Sequence, residues 1–121
     1  MIPRPARIAL FVLGCAVVLW LSLAPGESLP AVNLWDKAKH AAAYFVLMLA
    51  GGFAFPERLW RGAAILFVLG IGIEWLQMVM DLGRQGEVLD AVANSVGIIA
   101  GLGLALAIRE AIKVKSRARG E

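Results

Sequence analysis

The 121-residue chain has one cysteine, one histidine and one tyrosine, and only 17% of its residues are charged. A lone Cys15 inside an apolar segment cannot close an internal disulfide, which excludes a disulfide scaffold. In that setting it reads as a small lipid- or helix-facing residue rather than a reactive thiol. The lone His40 has no HxxxH partner, so no local metal-ligand pair exists, and no metal or other cofactor is expected. Little charge beside 60% hydrophobic content excludes the usual balance of a soluble globular domain. No internal repeat or low-complexity segment is convincing.

Apolar sequence is what the chain has in abundance. Four stretches, Ile8 to Leu23, 41–55, 62–80 and 91–108, approach the length that crosses a hydrocarbon core. They predict an all-α, integral membrane four-helix bundle in a single domain, with helices at about 7–24, 37–55, 61–80 and 90–109 and a basic tail at 110–121. The first segment also has features of a cleaved secretory signal, namely the basic start at Arg4 and Arg7 and the small-residue site Ser22-Leu23-Ala24. Pro25 fits poorly after a scissile bond, so retention as an anchor is favoured.

Net charge is +3, and its distribution says more than its size. Arg4, Arg7, Arg58, Arg61, Arg109, Lys113, Lys115, Arg117 and Arg119 fall at the N-terminus, the second loop and the tail, against Lys37, Lys39 and Arg84 at the first and third loops. Nine against three predicts that both termini and the 56–61 loop are cytoplasmic. The tail KVKSRARG then reads as a topology signal touching anionic headgroups, and no nucleic-acid partner is expected.

The connections fit this plan. The first loop contains two prolines and a glycine, with Trp35 as an interfacial anchor and Asp36 as a first-turn acid of helix 2. Pro56 stops helix 2, and the tight PERLWR loop, with Trp60 at the other interface, makes helices 2 and 3 antiparallel neighbours. In helix 4, Ala93, Gly97, Gly101 and Ala105 recur every four residues. This small-residue face predicts close approach to another helix of the chain; a homo-oligomer through Gly97 and Gly101 is the less favoured alternative.

Polar residues are confined to one half of the bundle. Lys37, His40 and Tyr44 share a face of helix 2, Gly70, Glu74, Gln77 and Asp81 a face of helix 3, and Asp90 and Asn94 a face of helix 4. All three faces lead to the outer leaflet. The opposite halves, FVLMLAGGFAF, GAAILFVL and GLGLALAI, carry no ionisable group. A charge near the centre of a membrane helix costs about 2.5–3.5 kcal/mol on insertion scales, so Glu74 must face protein or water. A network in which Arg84 or Lys37 neutralises Glu74 or Asp90 is the favoured way to lower that cost. A metal held by His40, Glu74 and Asp90 is disfavoured by the nearby cations.

The stretches DKAKHAAAY (36–44), IEWLQ (73–77) and GRQGEVLDAVANSVGIIAG (83–101) resemble the VanZ-like family of small bacterial membrane proteins, over about two thirds of the chain. The resemblance maps Lys37, His40, Tyr44, Glu74, Gln77, Arg84, Asp90 and Asn94 onto the family's polar positions. It implies a multi-pass protein of the bacterial cytoplasmic membrane, linked to the cell envelope and to low-level resistance to the glycopeptide teicoplanin. Many members carry a Ser or Thr just ahead of the helix-4 Asp; here Gln85 to Leu89 supply no such hydroxyl.

Two functional readings follow. In the first, a polar outer-leaflet site binds an amphipathic envelope ligand such as a lipid-linked glycan or a phospholipid headgroup, with Lys37, Tyr44, Gln77, Arg84 and Asn94 as ligand-binding residues. In the second, His40, Glu74 and Asp90 act as acid–base groups of a membrane-embedded hydrolase or transferase working on such a lipid. Conduction of protons or a small solute is a third, opposed by the apolar cytoplasmic halves.

Overall fold

The computed structural model describes residues 2–23, 34–80 and 88–120. Among them it is all helix, with no strand: α1 (Arg4–Leu23), α2 (Leu34–Ala54), α3 (Leu59–Met80) and α4 (Val88–Ala118). The expected four helices are present with shifted ends. The largest shift is at α4, which runs as helix to Ala118 where a tail was expected from residue 110. Its 31 residues measure about 46 Å at the usual helical rise, longer than the about 30 Å of a hydrocarbon core.

Local chemistry accounts for the ends. Pro3 precedes α1 and its carbonyl accepts from the amides of Ala6 and Arg7, while Pro5 sits in the first turn, where a missing N–H is tolerated. Pro56 bars α2 from continuing, and the chain turns through residues 55–58 into α3. Arg7 Nη1 donates to Phe53 O at 2.8 Å, so a cation from α1 occupies the negative end of α2.

Helices α1, α3 and α4 are long and apolar enough to cross a membrane. Helix α2 falls short because its first two turns carry Asp36, Lys37, Lys39 and His40. The chain runs up, down, up and down, so two ends can be named. The polar end gathers the C-termini of α1 and α3 with the N-termini of α2 and α4; the basic end holds Arg4, Arg7, Arg58, Arg61 and Arg109.

Helix α2 is the hub, packing on α1, α3 and most extensively on α4. Because α2 and α4 run parallel, their contacts stay in register: Lys37 meets Asp90 and His40 meets Asn94 at separations of 53 and 54 residues. Glycines allow the close approach. A Cβ on Gly97 would lie 2.2 Å from Ala41 O, and one on Gly101 would lie 2.7 Å from Met48 Cβ and 2.9 Å from Phe45 O. The small-residue stripe is therefore covered by α2 within the chain, and association of copies through Gly97 and Gly101 would require α2 to leave. Gly51 and Gly62 similarly bring α2 and α3 together, capped by Phe11 of α1.

The core consists of Phe11, Tyr44, Leu47, Met48, Ala54, Ala63, Leu66 and Ile98. Phe11 is the one buried residue of α1, and it meets Phe55 edge-on at 5.9 Å. Ile8, Cys15 and Val18 pack partly against this core, while Leu10, Val12, Leu13, Val17, Trp20 and Leu21 of α1 face outward.

Candidate functional site

At the polar end two parallel helix N-termini stand side by side, each with an acid in its first turn, Asp36 on α2 and Asp90 on α4. Both carboxylates gain from the positive end of their own helix dipole. Between them lies the Lys37 ammonium, paired with Asp90 Oδ1 and lying 3.5 Å from Asp36 Oδ2. One turn further along, His40 Nδ1 donates to Asn94 Oδ1 at 3.2 Å, while its Nε2 is 3.6 Å from Asp36 Oδ2 and 3.9 Å from Asp90 Oδ2. Both ring nitrogens thus face side-chain oxygens.

The next layer is drier. Tyr44 is buried, with its hydroxyl and the Asn94 amide both packed over Gly70 of α3: a Cβ there would lie 3.6 Å from Tyr44 Oη and 3.3 Å from Asn94 Nδ2. Glu74 and Gln77, one and two turns beyond Gly70, are buried at 8% and 4% exposure. Polar side chains from α2, α3 and α4 are therefore brought to one end, as their spacing predicts.

Three particulars differ from expectation. First, Gln77, read from the sequence as a ligand-binding residue, spends its Nε2 on Ser22 O of α1 at 2.8 Å. The last carbonyls of a helix lack intrahelical donors, and α1 ends where α3 presents this amide. Second, the Asp/His trio within 4.8 Å of one another is Asp36, His40 and Asp90, with Asp36 in place of Glu74. Lys37 sits against both carboxylates and competes electrostatically with any ion for that position. Third, Lys37, read from the sequence both as a neutraliser of Glu74 or Asp90 and as a ligand-binding residue, pairs with Asp90 as favoured and is thereby engaged by two acids. Arg84 and Asp81, which were expected to complete the site, lie outside the described residues.

Asp36, in the sequence a first-turn acid of helix 2, belongs to the cluster, and its i, i+4 spacing to His40 is the sequence signal for that placement. Ser95, the hydroxyl nearest the cluster on α4, donates to Ala91 O in its own helix at 2.8 Å. Tyr44 Oη and Gln77 Oε1 are buried with no hydrogen-bond partner among the described residues.

Chemically, the described cluster offers two carboxylates, an amide and an imidazole with one balancing ammonium. Such a set accepts hydrogen bonds from hydroxyl and amine groups and can move a proton through His40. Comparison of the chain with protein-family models, characterised proteins and solved structures gives no match.

Proposed function

We propose that the chain is a four-span protein of the bacterial cytoplasmic membrane, with both termini cytoplasmic, whose polar end binds the headgroup of a lipid-linked or amphipathic envelope ligand at the outer leaflet. The observation that carries this reading is the Lys37–Asp90 pair, with Asp36, His40 and Asn94 around it, at one end of an otherwise apolar bundle. Ionisable groups set between membrane helices are costly and tend to mark sites. Pairing of Lys37 with Asp90 of α4 lowers the cost of placing the start of α2 in a membrane.

The pairing of Lys37 sharpens the ligand. With two carboxylates on one ammonium, the described cluster suits a headgroup bearing hydroxyls or an amine, as a glycan does, better than a bare phosphate. The VanZ-like character of DKAKHAAAY, IEWLQ and DAVAN supports the same envelope setting and a link to low-level teicoplanin resistance.

The test uses the full chain in phosphatidylcholine vesicles with a fluorescent polyprenyl-linked disaccharide. Saturable energy transfer from the tryptophans is expected, weakened at least tenfold by Asp90→Asn and by Asn94→Ala at unchanged helix content. Equal transfer in all three proteins sinks the reading.

Catalysis on such a lipid is the second reading, favoured by an imidazole flanked by two carboxylates. Ser95 is committed to its own helix, so water would be the nucleophile. This reading requires Glu74→Gln, nearly isosteric, to abolish turnover while the protein still accumulates in membranes; retained turnover removes it. Conduction is opposed by the filled core of Phe11, Met48 and Leu66 beyond the polar end.

A further inference from the structure

A second place on the molecule has the makings of a binding site, at the end opposite the polar cluster. Helices α1 and α4 flank α2 without meeting: among the described residues no Cα of one lies within 8 Å of the other. The gap between them, over the last turns of α2, is a half-open crevice of about 460 Å³. Its walls are apolar, with Phe53, Pro56 and Ile112 among them, and three cations line it: Arg7 from α1 and Arg109 and Lys113 from α4.

The two guanidinium groups carry unused donors. Arg7 Nη1 is tied to Phe53 O and its guanidinium lies 5.4 Å from the centre of the Phe53 ring, which fixes the group at the crevice. Its Nε, like that of Arg109, is buried with no acceptor among the described residues. A buried guanidinium donor without an acceptor is costly, so both groups favour an anion in the crevice they line. The Arg109 side chain has no ion-pair or hydrogen-bond partner among the described residues, and Lys113 has only the exposed Glu110 at 3.5 Å. No carboxylate lines the crevice to compete.

We propose that this crevice binds one anionic phospholipid, its phosphodiester held by Arg7, Arg109 and Lys113 and its acyl chains lying against Phe53 and Ile112. Charge complementarity selects the headgroup, and the apolar walls select a lipid over a free anion. Basic pockets between membrane helices on the cytoplasmic side hold such headgroups. The inference rests on the membrane reading above and is independent of what the polar end binds.

The experiment takes the full chain in neutral maltoside micelles and adds phosphatidylglycerol, phosphatidylcholine or inorganic phosphate, reading retained lipid by native mass spectrometry and the unfolding midpoint by heating. Phosphatidylglycerol is expected to give a one-to-one adduct and raise the midpoint by several degrees, with neither effect from the other two. Arg109→Gln/Lys113→Gln should lose at least tenfold of the adduct, whereas Lys115→Gln/Arg117→Gln, identical in net charge, should keep it. Equal loss in both double variants, an equal adduct with phosphatidylcholine, or an equal shift with phosphate each overturns the proposal. Asp90→Asn should leave the phosphatidylglycerol response intact, so failure at the polar end and failure here are read separately.

Discussion

Removing the Lys37 ammonium would leave the Asp36 and Asp90 carboxylates facing each other without the cation that sits between them. Breaking a buried pair from one side costs about 3–5 kcal/mol, much of it from the stranded charge. Lys37→Met is therefore expected to lower stability by about 3 kcal/mol, and Lys37→Met/Asp90→Leu to recover most of it, as read by unfolding of the full chain in detergent. Additive losses would show that the two residues are not coupled. The members of this pair were legible in the sequence, since Lys37 and Asp90 both begin faces that reach the same interface. Which cation served which acid was not, because reach along an interface admits several pairings. The Gln77 contact could not be read at all: its acceptor is a backbone carbonyl of α1, and a carbonyl has no sequence signature.

Among the helices, the parallel α2–α4 pair is the least forgiving. A methyl on Gly97 would lie 2.2 Å from a backbone oxygen, which cannot rotate away as a side chain could. Gly97→Ala is expected to cost about 3 kcal/mol, at the upper end of overpacking penalties, and to break the Lys37–Asp90 register above it. Gly103→Ala, with nothing within 4 Å of the added atom, should be neutral or slightly stabilising in the same thermal assay. A neutral Gly97→Ala would mean that α2 and α4 are not in contact there. The small-residue period of helix 4 announced a close partner in the sequence; that the partner is α2, running parallel rather than antiparallel, depends on how the connections cross the bundle. The helical extension to Ala118 was masked by charge, because a basic tail and a basic helix have the same composition.

At the scale of the whole molecule, the described helices turn many large apolar side chains outward between the two ends of the bundle. Trp20, Val46, Val68, Ile71, Trp75 and Ile99 are all exposed, and three of the four tryptophans, Trp20, Trp35 and Trp75, lie toward the polar end. In a bilayer this surface would meet acyl chains, with the indole rings near the headgroups. On that reading, in a Cys15→Ser background, an impermeant maleimide added to intact spheroplasts should label Lys39→Cys, and should label Gly120→Cys only after the membrane is opened. The reverse pattern would invert the orientation proposed from nine basic residues against three.

The 53-residue separation between Lys37 and Asp90 also sets a schedule. At about 5–20 residues per second of synthesis, α2 emerges about 3–10 s before the acid that neutralises it. During that interval α2, whose charges keep it below the hydropathy of a spanning helix, has no α4 to pair with Lys37. On the membrane reading, α2 would wait at the translocon or the membrane surface until α4 is made, so that the second helix in sequence would settle into the bundle only with the fourth.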